Sequence, residues 1–348
     1  MKKLFIVVLA FSFFLTARMQ GDEPSTVPMK PPDEQTAVVT DTAPGEALSI
    51  RQATRVVPAV PAPDKPMRVI VDTDAANEID DLYAITLAIA DPQRFKLEGF
   101  VAAQFISNPG QRADTIERSY KVIEKLLELT GTSARYPLKR GSLPMESKDR
   151  PSKSEGVDLI IAAAHRGSPD NPLWVVGIGA STDLASAILL DPAIIPNVRY
   201  VFHARSPKTW PERSVQFNVK GDVFAAQVLL ESAVPLVWFD TGTEITASME
   251  ETEQKLAPLG AIGKYLHEYR FNHPGFQSPK KGFFDLGDIA WLIDPTLATS
   301  EIVPAPTMDD RMYFDQKNTH GDMVRVHDIN PAKTWELFYR KLTAFLGR

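Results

Sequence analysis

The sequence predicts a three-layer α/β fold on a mostly parallel, open sheet. Short apolar runs rich in β-branched residues recur along the chain, as strands buried inside such a sheet require. Helical patterns follow several of them, so that strand and helix alternate. Acidic residues crowd at the first strand–helix join, the end of an open α/β sheet where ligands bind. With 348 residues and 44% hydrophobic content, the chain can bury the core of one large domain.

In chain order, Lys2 and Lys3 precede an apolar run from Leu4 to Leu15, the pattern of a secretory signal peptide and too short for a comfortable membrane span. Residues 1–21 are therefore expected to be a signal peptide, and the protein to be exported to a periplasmic or extracellular setting without stable membrane insertion after cleavage. Residues 22–66 are rich in Pro, Thr, Ala and charge and carry no periodic apolar pattern, which predicts a disordered tether. The catalytic domain is expected over 67–348. The chain has no cysteine, hence no disulfide and no lipid-anchor thiol at the export junction. A net charge of −6 argues against nucleic acid as a partner and permits a cation site.

Val69, Ile70 and Val71 read as the first buried strand, and residues 82–90, apolar or aromatic except for Thr86, as a buried helix. Between them stand Asp72, Asp74, Glu78, Asp80 and Asp81. Alternation along an extended chain puts Asp72 and Asp74 on one face. Asp80 and Asp81 fall at a helix start, where free N–H groups and the helix dipole favour negative charge. One Asp at such a join is ordinarily a cap, but four aspartates within ten positions raise each other's pKa unless a cation neutralises them. A hard divalent ion with oxygen ligands answers that need, Ca²⁺ rather than Mg²⁺ because several protein carboxylates converge. An EF-hand is excluded: counting from Asp72, position six is Asn77 instead of Gly and position twelve is Tyr83 instead of Glu. A phosphoryl-transfer Asp-x-Asp loop normally continues Gly-Thr, and here Ala75 and Ala76 follow.

Residues 95–105 predict a second strand, and residues 113–129 an amphipathic helix with Ile116, Tyr120, Ile123, Leu126 and Leu127 at helical spacing. A polar, basic loop spans 137–153. Residues 156–164 form a helix ended by His165, which suits the negative end of the helix dipole. Residues 173–179 form a central strand, and Ser181 or Thr182 suits the cap of the helix after it. A strand over 198–205 carries His203, either a structural histidine or a site residue. Asp222 reads as the cap of a helix over 223–230. Residues 235–240 form a further strand, with polar helical segments beyond. Residues 302–324 read as loop and strand, and residues 335–345 as a closing helix that makes the C-terminal part helical.

The order of acidic motifs resembles the nucleoside hydrolases, the inosine-uridine-preferring N-ribohydrolase superfamily. Asp72-Thr-Asp74 followed by Asp80-Asp81 is similar to that family's Asp-Thr-Asp-Pro-Gly-x-Asp-Asp, lengthened by two residues over 75–79. Gln216, Phe217, Asn218 and Asp222 match a Glu-Phe-Asn segment with a later Asp. Asp288 matches an Asp that opens a helix, with Gly287 where many relatives have His. The resemblance implies a Rossmann-like nucleoside hydrolase fold and a Ca²⁺ cofactor held by Asp72, Asp74, Asp81, Asp288 and the Ile178 carbonyl. It implies that Asp74 takes a proton from a metal-bound water, and that Asp80, Asn218, Gln216 and Gln104 hold the ribose, Asn108 being the alternative to Gln104. It also implies stacking on the base from the 266–276 region, with His203 or His273 as the substitute acid for the absent His. The implied reaction is hydrolysis of the ribonucleoside N-glycosidic bond with inversion, and relatives form dimers and tetramers. Hydrolysis of another ribosyl or glycosyl compound, or Ca²⁺-dependent binding of a nucleoside or sugar without turnover, are the readings that compete with it.

Overall fold

In a computed structural model the described residues are 50, 54–108 and 110–347. The expected signal peptide and most of the expected tether lie outside them.

The strands β1 (Met67–Thr73), β2 (Phe95–Ala102), β3 (Leu138–Arg140), β4 (Leu173–Gly177), β5 (Val198–His203) and β6 (Leu236–Phe239) are joined by β9 (Thr299–Met308) and β10 (Phe314–His327) in one eight-stranded sheet. Its order is β3-β2-β1-β4-β5-β6-β10-β9, parallel throughout except for the antiparallel β9–β10 hairpin. A separate two-stranded ribbon pairs β7 (Thr246–Ala247) with β8 (Lys281–Gly282).

Helices cover both faces, and the alternation within a strand shows it. Val69 and Val71 of β1 enter one core with α1 (Asp80–Ala90), α2 (Arg112–Leu129), α9 (Leu286–Ile293) and α10 (Pro331–Leu346). Ile70 enters the other, with α3 (Glu155–His165), α4 (Thr182–Leu190) and α6 (Val223–Glu231). All seven residues of β1 are buried, which is why it reads as a continuous apolar run instead of an alternating one. Each fully buried Val or Ile stabilises by about 1.5–3 kcal/mol, so β1 is pinned from both sides.

The predicted strands and helices appear in the predicted order, and the differences include one at each end of the sheet. The 137–153 loop contains the short edge strand β3. The helices of the C-terminal part, including α7 (Met249–Lys255) and α8 (Gly260–Asn272), are interrupted by the long β9–β10 hairpin. Pro304 and Pro306 lie on β9, the outermost strand, where a missing N–H is tolerated.

Part of the stretch read as a tether is bound to the domain. Ile50 is buried and its carbonyl accepts from Ala233 N at 2.7 Å. The buried Arg55 donates to the carbonyls of Leu229, Leu230 and Ser232 at 3.0, 2.7 and 2.5 Å, so its guanidinium closes the C-terminal end of α6. Arg94 donates to the carbonyls of Ala62 and Lys65, both at 2.6 Å, and to Leu292 O at the end of α9. Val57 and Val60 pack on the core. Among the described residues no helix is long and apolar enough to cross a membrane.

Candidate active site

The strand order changes direction between β1 and β4: from β1 the chain adds β2 and β3 on one side, then β4, β5 and β6 on the other. A crevice opens at such a switch point, beyond the carboxyl ends of the strands. Here it is a cavity of about 200 Å³, whose lining includes Asp74, Asn77, Glu78, Asp80, Asp81, Ile178, His203 and Asp285.

Each wall has a local cause. Asp74 follows the last residue of β1. The lengthened turn after it folds back, with Asn77 N bonded to Asp74 O at 2.7 Å and Asn77 Nδ2 to Asp74 Oδ2 at 3.1 Å. The two additional residues thus hold Asn77 against the carboxylate. Ala75 and Ile79 of that turn are buried, and Glu78 pairs with Lys281 at 2.7 Å. Asp80 and Asp81 occupy the first turn of α1. Asp80 Oδ2 accepts from Asp285 N at 3.2 Å, which joins the start of α1 to the residue before α9. A Cβ at Gly179 would lie 2.9 Å from Asp74 N, so the turn after β4 passes this close only as glycine.

Asn218, in the short helix α5 (Phe217–Gly221), donates through Nδ2 to Ile178 O at 3.1 Å and His203 O at 3.2 Å, tying together the ends of β4 and β5. His203 Nδ1 is 2.7 Å from Asp288 Oδ2 and 3.4 Å from Asp285 Oδ1. At the rim, Arg205 stacks on Phe284 with 3.8 Å from guanidinium carbon to ring centre, and Phe217 is exposed.

The electrostatics are those of carboxylates short of cations. Burial holds Asp74, Asp81 and Asp285 well above the ordinary carboxylate range, and their mutual repulsion and that of Asp80 add to it. Asp72 is raised likewise by burial, then by Asp183 and Asp74. Asp288 is pushed up to about 6 by burial, opposed by His203. Both oxygens of Asp72, Asp80 Oδ1, Asp81 Oδ2 and Asp288 Oδ1 are buried without a hydrogen-bond partner. Unpaired buried carboxylates are costly. A cation relieves that cost, and two groups have ligand atoms within 4.8 Å of one another: Asp80, Asp81 and Asp285, and His203, Asp285 and Asp288. The donor set fits a divalent metal ion.

The sequence model for "Inosine-uridine preferring nucleoside hydrolase" matches residues 69–336, most of the chain. The chain belongs to the inosine-uridine preferring nucleoside hydrolase family. That family and the proteins of similar structure are N-glycosyl hydrolases. No curated protein matches the sequence. Among solved structures, a plant nucleoside hydrolase is 17% identical with TM-score 0.63, and the match covers 80% of this chain and 99% of that one. A purine-preferring ribonucleoside hydrolase from Gardnerella vaginalis is 16% identical with TM-score 0.62 and the same coverage of both chains. An inosine-uridine preferring nucleoside hydrolase from Bacillus anthracis is 15% identical with TM-score 0.58, covering 80% of this chain and 99% of that one. At these identities the likeness is one of fold.

Within this nucleoside hydrolase fold, Asp74, Asp80, Asp81, Ile178, Gln216 and Asn218 line the cavity. Asp72 lies within β1, and Asp288 meets the site through His203 and Asp285. Gln216 caps α5: its side-chain oxygen accepts from Asn218 N, and from Val219 N at 3.3 Å. Gln104 is buried beside the cavity instead of lining it, donating to Gly221 O at 3.2 Å and accepting from Arg112. Asn108, the alternative, is exposed, as is His273. In the 266–276 region, Arg270 spends its donors on the carbonyls of Ala247, Ser248, Phe276 and Ser278, and none of these residues lines the cavity. Asp222 does cap α6, accepting from Ala225 N at 3.0 Å, and it also receives Thr182 Oγ1 and Met145 N. His165 takes Asp191 as its partner at 2.6 Å.

Gly287 has a packing reason. A Cβ there would lie 3.1–3.2 Å from Ile245, Ile329 and Phe239, so apolar side chains fill the space a histidine would need. An imidazole reaches the site from the end of β5 instead, as His203. Asp285, which none of the motifs shared with the nucleoside hydrolases marks, is a further residue of the cavity wall. Its signal was the spacing, since Asp285 and Asp288 stand three apart at a helix start and so share a face.

Proposed function

We propose that this chain hydrolyses the N-glycosidic bond of ribonucleosides in a Ca²⁺-dependent reaction, releasing base and ribose. The observation that carries this reading is the meeting of Asp74, Asp80, Asp81 and Asp285 in one cavity at the switch point of the sheet, brought there from two distant parts of the chain. The residues that would hold the ion are Asp74, Asp81, Asp288 and the Ile178 carbonyl, with Asp72 behind them. When bound, such an ion supplies Lewis acidity and a grip on vicinal hydroxyls.

The protein's part follows from its own groups. Asp74, whose pKa burial and neighbours raise, takes the proton from the attacking water. Asp80 accepts from a ribose hydroxyl. Asn218, its amide nitrogen engaged by two carbonyls, offers its oxygen to another. Gln216, with its oxygen on the α5 amides, offers its N–H₂. Phe217 and Phe284 supply apolar faces against which the base stacks while charge develops on the sugar. Direct attack by water predicts inversion at the anomeric carbon. The basic, apolar N-terminus supports an exported setting.

Release of reducing sugar from inosine, uridine and adenosine, with and without chelator, tests the reading. Asp74→Asn is expected to remove turnover, a loss of at least about 10²-fold. Tight nucleoside binding with no release from the unmodified protein would replace the enzyme with a binding protein. A second reading, cleavage of another ribosyl compound, is favoured by Gln216, which brings no charge where relatives carry Glu. Sugar release from such a compound, and none from the three nucleosides, would decide for it.

A further inference from the structure

We propose that Arg205 and Gln216 hold the phosphate of a ribosyl substrate phosphorylated on its 5′ oxygen, which makes nucleoside 5′-monophosphates the preferred substrate class. The inference rests on the hydrolase reading of this cavity and names the group its substrate carries. Its ground is a guanidinium in the cavity wall that pairs with none of the carboxylates sharing that wall.

Arg205 lines the cavity together with Asp74, Glu78, Asp80, Asp81 and Asp285. A guanidinium has several N–H donors in a fixed fork. Among the described residues Arg205 makes a single hydrogen bond, from Nη1 to Thr243 Oγ1 at 3.3 Å, and no ion pair. Its Nε is buried without a partner, a cost that a ligand oxygen removes. The Phe284 ring centre lies 3.8 Å from the guanidinium carbon and holds the fork in place. The backbone on either side is fixed as well, with Ala204 N on Phe239 O at 2.9 Å and Ser206 N on Asp240 Oδ1 at 2.5 Å. Asp240 is itself taken by Arg325 at 2.7 Å. Lys281, also over Phe284, is taken by Glu78. Arg205 is the cation this cavity leaves for a ligand.

Gln216 adds a second donor. Ser206 Oγ accepts from Val215 N at 2.9 Å, a bond between the chain neighbours of Arg205 and Gln216, and both side chains line the cavity. The Gln216 oxygen is spent on the amides of Asn218 and Val219, which leaves its N–H₂ for a ligand. Relatives carry Glu there, and a carboxylate would repel an anion. Here the charge is gone and a guanidinium stands in the same wall, a set of donors suited to phosphate oxygens. The position on the sugar follows from the rest of the site. With the vicinal hydroxyls given to the ion and the anomeric carbon to the base, the 5′ oxygen is the one left to carry a phosphoryl group. In the reaction the oxygen of water bonds to the anomeric carbon, the carbon–nitrogen bond breaks, and the hydrogen that water gives up is balanced by the one the base gains. The products are free base and ribose 5-phosphate, and the phosphate ester is untouched.

Two measurements on full-length protein with Ca²⁺ test it. Calorimetric titration compares ribose 5-phosphate with ribose, and base release compares inosine 5′-monophosphate with inosine. Ribose 5-phosphate should bind at least about tenfold more tightly than ribose, and the monophosphate should show a kcat/KM at least about tenfold higher than inosine. Arg205→Ala should bring both ratios to about one, while Arg205→Lys retains part of the preference because the charge stays and the fork is lost. Gln216→Glu should move both ratios toward the unphosphorylated compound. Each ratio is read within one protein, so a variant of lowered stability still reports it, and thermal melts confirm that the variants fold. Phosphorylated compounds bound and cleaved no better than the others by the unmodified protein, or ratios unmoved in Arg205→Ala, overturn the proposal. Base release from inosine would then leave the hydrolase reading intact. A preference for ribose 5-phosphate with no base released from either substrate would keep the phosphate site and remove the hydrolase instead.

Discussion

The hydroxyl of Thr73, the last residue of β1, donates to Asp81 Oδ1 in the first turn of α1 at 2.5 Å. The bond crosses the turn that carries Asp74 and leaves the other Asp81 oxygen, Oδ2, without a partner. A bond of this kind aims a ligating carboxylate and sets which oxygen is free. Thr73→Val keeps the shape and removes the donor. It should weaken Ca²⁺ binding by about tenfold, while Thr73→Ser binds nearly as the unmodified protein does. Calorimetric titration of the stripped protein reads both, and equal affinity in all three would sink the idea.

Acidity gives a second check. Asp288 moves from 3.8 to about 6 on folding, mainly through burial. Asp72, Asp74, Asp81 and Asp285 move in the same direction. A carboxyl whose pKa is raised by folding stabilises the fold fully below its unfolded value, and that contribution is lost as pH rises through the folded value. Metal-stripped protein should therefore melt higher near pH 5 than near pH 7.5. Added Ca²⁺ should reverse the order, since binding displaces the protons. Melting curves at both pH values, with chelator and with Ca²⁺, measure this; stripped protein that is more stable at the higher pH would contradict it.

The fold was legible because its central strands are apolar on both faces and its first helix carries no breaker: Val69 to Val71 and Leu82 to Ala90 announce a buried strand and a buried helix. The carboxylates of the β1–α1 join were legible because they are close in sequence. His203 stood in the sequence as either a structural or a site residue, and Asp285 carried only its spacing from Asp288, because nothing local distinguishes a carboxylate or an imidazole that faces a cavity from one that faces solvent. Only the packing of α9 against α1 and the end of β5 settles it. The docked residues before β1 escaped for a related reason. Arg55 and Arg94 bind backbone carbonyls, which every sequence possesses, so composition reads their surroundings as a tether.

That docking is itself measurable. Arg55 satisfies three carbonyls at the end of α6 and a fourth, His320 O on β10, at 3.1 Å. Arg55→Ala leaves these groups without their donor in a place water reaches poorly. The expected loss is about 2–4 kcal/mol of unfolding free energy, seen as a lower urea midpoint with unchanged slope. Arg55→Lys should recover only part of it, because an ammonium cannot span the same fork of acceptors. A midpoint unmoved by Arg55→Ala would mean that the segment lies on the domain without holding it.

Asn218 separates sugar contact from scaffolding. Its Nδ2 joins Ile178 O to His203 O, the ends of two adjacent strands, and its oxygen remains to accept from a ribose hydroxyl. Asn218→Asp keeps an acceptor but turns a second oxygen toward two carbonyls, repelling both. Asn218→Ala removes donor and acceptor together. If direct contact with the sugar were the whole role, Asp would bind inosine nearly as well as Asn. The bridge between β4 and β5 predicts instead that both variants raise KM by about tenfold or more. It also predicts that both weaken Ca²⁺ binding, because the Ile178 carbonyl loses the bond that holds it. Kinetics with inosine and calcium titrations on the two variants decide the matter, and an Asp variant with unchanged KM and unchanged Ca²⁺ affinity would reduce Asn218 to a sugar contact alone.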